Sequence, residues 1–285
     1  TEGAATNNLT LYAMWSGNYT IGSVTTMQDL GTASLEKKSK IVSSMITETN
    51  YTLKDSRDNQ NYTIAKLKDG QVWMTRNLNL AGGSTLNAGT SDVNADYVLP
   101  ASSTTGFNDD ATAYVYNSGN TSSCGGSGQN IPCYSYYSYV AATAGSGIGI
   151  NGEGVDAPWS TCPKGWRLPI SGNHAASSAG SITNYKRGDF YKLATAYGVD
   201  LESSFTNYGD TFYEKLGPST SANFTLSGYY SKTGLQFGGD FGYYVSSTGG
   251  GSAGSVRVLR FSASLMTPAN DNARRDGYSV RCLLK

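Results

Sequence analysis

Histidine is almost missing from this sequence. His174 is the only one among 285 residues, so a Ser–His–Asp relay has a single imidazole to draw on. That residue sits in SGNHAASSAGS, a Gly/Ser loop with no apolar cover to hold the ring. Charge is scarce as well. Only 15% of residues are charged, and 21 acids balance 21 bases, so no basic excess exists to grip nucleic acid or an anionic membrane. No apolar run approaches the roughly 18 residues that span a bilayer as a helix. No CxxC pair occurs, which removes the usual thiolate spacing for zinc. The opening TEGAATNN has no charged start or apolar stretch of a signal peptide, and it reads as a segment trimmed from a longer protein.

What is abundant is glycine, at 35 residues, and tyrosine, at 21. Hydrophobic residues make up 38%, below the usual globular share, while aromatics at 12% are too many for a disordered chain. Such a composition predicts many short strands, long loops and a polar, aromatic surface. The length suits one large domain or two small ones. Four cysteines are present: Cys124, Cys133, Cys162 and Cys282. An even count without metal spacing favours two disulfides in an oxidising, extracellular setting; the alternative is four reduced, buried thiols. Cys124 and Cys133 flank the Gly-rich CGGSGQNIPC and are expected to pair, which leaves Cys162 for Cys282.

Along the chain, NNLTLYAMW (7–15) alternates like a strand, and 27–45 is the one early helical candidate. Residues 62–67 and 71–80 read as two strands joined by Lys-Asp-Gly, a strong hairpin signal. Residues 81–133 read as loops with a short strand at 113–116, 135–145 as helix-compatible, and 189–198 as a helix stopped by Gly198. From 223 onward strands dominate. In SVRVLRFSASLM the alternation is strict, and we take Leu259 and Phe261 as inward and Val258, Arg260 and Ser262 as outward.

CPKGWRLP (162–169) is too broken for a helix and too rigid for a mobile loop. Taken in order with DSRDNQNYTIAKLKDGQVWMTRNLNL, GYYVSST and GYSVRC, it resembles the Fibrobacter succinogenes major paralogous domain, a branch of the C-type lectin-like fold. The likeness covers roughly 50–285. It implies an α+β domain with two short helices, mixed and antiparallel strands and long loops. It implies a Cys162–Cys282 bond between the second helix region and the last strand, with Trp166 and Leu168 plugging the core. Trp73 and Met74 are read as core too. The family usually carries Trp where Val245 stands, and often Cys where Val72 stands, which implies that one family disulfide has been lost here. LYAMW (11–15) is similar to the closing strand of Listeria–Bacteroides-type surface repeats. The resulting division is 1–17 as the end of a preceding repeat, 18–50 as a connecting segment with a short helix, and 51–285 as the lectin-like domain.

Some relatives of this fold are variable proteins of diversity-generating retroelements, in which exposed positions near the C-terminus change while the scaffold persists. The resemblance implies such a binding surface over 243–276, held by anchors such as Leu259, Phe261 and Pro268. The candidate contacts are Tyr243, Gly249, Gly250, Ser252, Val258, Arg260, Met266, Asn270, Asp271, Asn272, Arg275 and Asp276, with Arg260 and Arg275 as hot spots. The formylglycine-generating relatives need a reactive cysteine pair, and all four cysteines are assigned to structure, so no enzyme is expected. FNDD (107–110) and PANDN (268–272) offer clustered oxygens for calcium. The Glu-Pro-Asn or Gln-Pro-Asp loop of sugar-binding members is absent, and these clusters read first as turn formers. Calcium therefore stands as a lesser alternative to no cofactor. The expected function is non-enzymatic binding of a protein or glycan on another cell, phage or host, at a bacterial surface, without nucleic acid or membrane insertion. The alternatives are a structural envelope module and calcium-dependent carbohydrate binding.

Overall fold

The computed structural model describes residues 19–117, 134–148, 150, 155–172, 188–201 and 211–285. The expected strand at 7–15, His174 and the expected Cys124–Cys133 pair lie outside them.

The 27–45 stretch forms two helices, α1 (Met27–Gly31) and α2 (Leu35–Ser44). The break follows from capping chemistry. Thr26 and Asp29 close a capping box on α1, and the Ser34 hydroxyl accepts from Lys37 N to start α2. Met27, Leu30 and Ile41 are fully buried in the main apolar cluster together with Trp166 and Cys162. Residues 19–50 thus contribute to the same core as the rest of the chain.

The main sheet is built from β1 (Asn50–Lys54), β2 (Asn61–Lys66), β3 (Val72–Met74), β14 (Leu283–Leu284) and β8 (Trp166–Arg167), in that spatial order and antiparallel throughout. The Lys-Asp-Gly turn forms as the sequence implies, with Gly70 at φ +80°. Strand β3 is shorter than expected. Past Met74 the backbone turns to the penultimate segment, where Leu78 N donates to Val280 O and Asn77 Oδ1 accepts from the buried Arg281. Cys162 and Cys282 are bonded across the sheet, 120 residues apart in sequence. Trp73, Met74, Trp166 and Leu168 are buried, as read. Gly165 explains its place in KGW. It sits at φ +79°, and an added Cβ would lie 2.1 Å from Gly31 O, so α1 packs backbone to backbone against this corner.

Short pairs fill the middle of the chain: β4 (Thr85–Leu86) with β5 (Tyr97–Val98), and β6 (Val115–Asn117) with β7 (Ser135–Tyr137). The 135–145 stretch is therefore strand first and then one helical turn, α3 (Tyr139–Ala142). Helix α4 (Asp189–Ala196) ends against Gly198 at φ +75°, and α5 (Thr211–Leu216) follows. A hairpin of β9 (Tyr229–Ser231) and β10 (Gly234–Gln236) leads into a three-stranded antiparallel sheet of β11 (Gly242–Gly249), β12 (Ser255–Phe261) and β13 (Met266–Ala273).

Two expectations about this sheet need correction. PANDN is strand, not turn. Val258 pairs with Asn270 and Arg260 with Thr267, so β13 carries an extra residue there, and Pro268 lies in the bulge, where its missing N–H does no harm. Val258 is not outward. It is fully buried in the main cluster with Tyr243, Val245 and Val256, whereas Tyr244, Leu259, Phe261 and Met266 face a second cluster containing Trp73, Phe190 and Phe224. The sheet divides two apolar clusters, so alternation along β12 tells the faces apart without making either one solvent. No helix of the described residues is long and apolar enough to cross a membrane.

Candidate functional site

One corner of this sheet is not sealed. The Lys232–Thr233 turn of the β9–β10 hairpin projects, and Leu235 and Phe237 are 40% and 50% exposed. Phe237 sits at φ +53°, a left-handed conformation that side chains adopt at a cost of about 1 kcal/mol or more. The turn that follows enforces it: Phe237 O accepts from both Asp240 N and Phe241 N. Gly228 N donates to Phe241 O and ties the hairpin to the start of β11.

The result is a connected aromatic surface. Phe237 stands edge-on to Phe241 at 5.6 Å between centroids and tilts against Tyr229 at 6.0 Å. Tyr229 and Phe241 both rest on Tyr243, at 5.1 and 6.1 Å. Tyr278 lies beneath Tyr229. A cation and an acid flank these rings. The Arg260 guanidinium lies 4.5 Å from the Phe241 centroid, and Arg260 pairs in register with Tyr243 across the two strands. The Asp276 carboxyl is pushed up to about 6, chiefly by burial, with Arg275 opposing the shift and Asp110 adding to it. The Tyr229 hydroxyl is raised by burial and then by the Asp276 charge, which marks the two as electrostatic neighbours.

The structure sorts the sequence candidates into three groups. Tyr243, Arg260 and Asp276 come together at this aromatic surface, although the Tyr243 ring is buried and acts as its floor. Ser252, Asn270, Asp271 and Asn272 gather at the far end of the sheet, around the β11–β12 loop and the end of β13. There Asp271 lies 3.9 Å from the buried Arg257 guanidinium, and Arg275 lies 3.7 Å from Asp110. The third group is corrected: Gly249, Gly250, Val258 and Met266 are buried. Gly250 closes the loop so tightly that a Cβ would meet Asp271 Oδ1 and Ser255 Oγ at 2.2 Å. Gly249 N donates to Val155 O, and Met266 packs with Phe261 in the second cluster.

Sequence reasoning missed Tyr229, Leu235, Phe237 and Phe241. The signal was available. GYYSKTGLQFGGDFGYY places a short turn between aromatic runs, and the glycines beside Phe237 and Phe241 leave those rings without bulky neighbours. The FNDD oxygens are occupied locally. Asn108 accepts from the Tyr114 hydroxyl, Asp109 from Ala111 N and the Thr112 hydroxyl, and Asp110 pairs with Arg275. Among the described residues no three His, Cys, Asp or Glu side chains gather as metal ligands would.

Comparison with protein-family models, curated proteins and solved structures finds no match to this chain.

Proposed function

We propose that this chain is a non-enzymatic ligand-binding domain of C-type lectin-like fold, displayed on a bacterial surface, and that it binds through the aromatic corner of its C-terminal sheet. The observation that carries this reading is the exposed Leu235–Phe237 tip, continuous with Tyr229 and Phe241 and flanked by Arg260 and Asp276. A soluble domain gains nothing from leaving such rings in water, and contiguous exposed apolar surface rimmed by charge marks interaction sites. Aromatics and Arg dominate binding energy in recognition surfaces. The ligand is a protein or glycan of another cell, phage or host.

The lectin-like assignment draws support from the disulfide-tied corner, the early hairpin and the pairing of β14 between β3 and β8. The retroelement reading places the changeable positions at the exposed Ser252, Asp271 and Arg275, with the buried anchors of β11 to β13 holding them. The test is binding of fluorescently labelled chain to intact bacterial cells and to glycan arrays, alongside Phe237→Ala and Arg260→Ala. A binding domain loses its signal in both variants while its melting curve stays put. Signals that survive both substitutions, or wild-type chain with no signal on any surface, would favour the structural-module alternative.

A further inference from the structure

A second feature lies near the other end of β11, around Ser247. A cavity of about 120 Å³ opens there between the 155–160 segment, β8 and β11. Ala157, Leu168, Ile170 and the half-buried Trp159 give it apolar walls.

Four charged side chains line the cavity, and three of them are already paired. Asp92 accepts from Lys285 Nζ and from the Ser160 hydroxyl. Arg167 makes a two-pronged pair with Asp189 and donates to Leu168 O. Asp156 differs. Its Oδ1 accepts from the Thr248 hydroxyl at 2.6 Å and the Ser247 hydroxyl at 3.5 Å, and among the described residues no cation lies within ion-pair distance of it. The carboxylate is also held on rigid backbone. Asp156 bridges to Thr248, Ala157 N donates to Ser247 O and Gly249 N donates to Val155 O, which clamps the segment along β11.

We propose that this cavity takes a primary alkylammonium group, with the nitrogen on the Asp156 carboxylate and the methylenes against Trp159, Ile170 and Ala157. Size agrees. A cavity of roughly 150 Å³ holds benzene, so this one holds about five non-hydrogen atoms, the size of a butylammonium ion. Chemistry agrees too, because a carboxylate with no cationic partner among the described residues attracts an ammonium by charge and by charge-assisted hydrogen bonding, while the apolar walls suit the methylenes. The same chemistry comes from two sources, a free small amine or a lysine side chain of a partner protein.

The experiment is an NMR titration of the ¹⁵N-labelled chain with n-butylammonium chloride, following the Trp159 indole and the Ala157 and Thr248 amides. Saturable shifts are expected with butylammonium and not with n-butanol or butyrate, a comparison that needs no variant. In Asp156→Asn, which keeps an acceptor for Thr248, the affinity should fall at least about tenfold, as the loss of one charge-assisted hydrogen bond implies. Absence of a saturable shift, an equal response to butanol, or unchanged affinity in Asp156→Asn would overturn the proposal. A response to butyrate instead would hand the cavity to Arg167 and overturn it as well. Nα-acetyl-lysine methylamide separates the sources. Equal binding of that compound supports a partner's lysine, and binding of butylammonium alone supports a free amine.

Discussion

The main sheet and the outer corner of the C-terminal sheet are both rich in aromatic residues, yet they use them in opposite ways. In the main sheet Trp73 and Trp166 are sealed, their indole N–H groups satisfied by Asp69 and by Met27 O, and a disulfide joins the segments that lead into β8 and β14. At the corner, Phe237 is half exposed, sits at a strained φ and packs against the Tyr229 and Phe241 rings. The first arrangement maximises burial and covalent constraint. The second spends stability on presentation. The contrast argues for a division of labour, in which a pinned scaffold carries a surface that the fold itself does not need.

That contrast sets an order of expected effects. The largest belongs to the disulfide. Removing both sulfurs, Cys162→Ala with Cys282→Ala, opens a loop of 120 residues and should lower unfolding free energy by about 5 kcal/mol in the chain-entropy model. Urea unfolding measures this, and a loss below about 1 kcal/mol would mean that the scaffold is held by packing alone. Next comes Gly165→Ala. Its φ of +79° and the 2.1 Å approach to Gly31 O leave no room for a methyl group, so a loss of about 2 kcal/mol or more is expected by the same assay.

A smaller effect comes from the Asp276 carboxyl, whose titration in the folded chain lies near 6. An ordinary unfolded aspartate titrates near 4, so between about pH 4 and 6 the folded chain holds a proton that the unfolded chain has lost. Stability contributed by that proton is full below about pH 4 and disappears as pH rises through 6. Asp276→Asn should therefore raise stability at pH 7 by on the order of 1 kcal/mol and leave it unchanged at pH 4. Thermal melts at the two pH values check the sign, and equal effects at both would remove the buried-acid explanation.

Sequence reasoning reached the scaffold more readily than the surface. Lys-Asp-Gly between alternating runs could form little besides a hairpin, and the Cys162–Cys282 bond followed from the count and spacing of cysteines. Strand β13 was hidden because Pro268 and the Asn/Asp run satisfy turn rules, and only pairing with β12 reveals that the proline falls in a bulge. The burial of Val258 was hidden for a different reason. A period of two separates the faces of a strand but does not tell what covers each, and here α3 and the main cluster cover the face that looked free. The aromatic corner was read only through Tyr243, Arg260 and Asp276. Its other rings come from β9 and from the turn between β10 and β11, which the chain folds back onto β11 through the Gly228–Gly242 bridge.

Phe237→Gly puts the division of labour to the test, with unfolding free energy and ligand binding measured on the same preparation. Glycine accepts φ +53° freely, and the lost ring is half in water, so stability should stay level or rise by up to about 1 kcal/mol while binding to cells or glycans disappears. A variant that unfolds more easily, or that binds as well as wild type, would show that the exposed ring belongs to the scaffold after all.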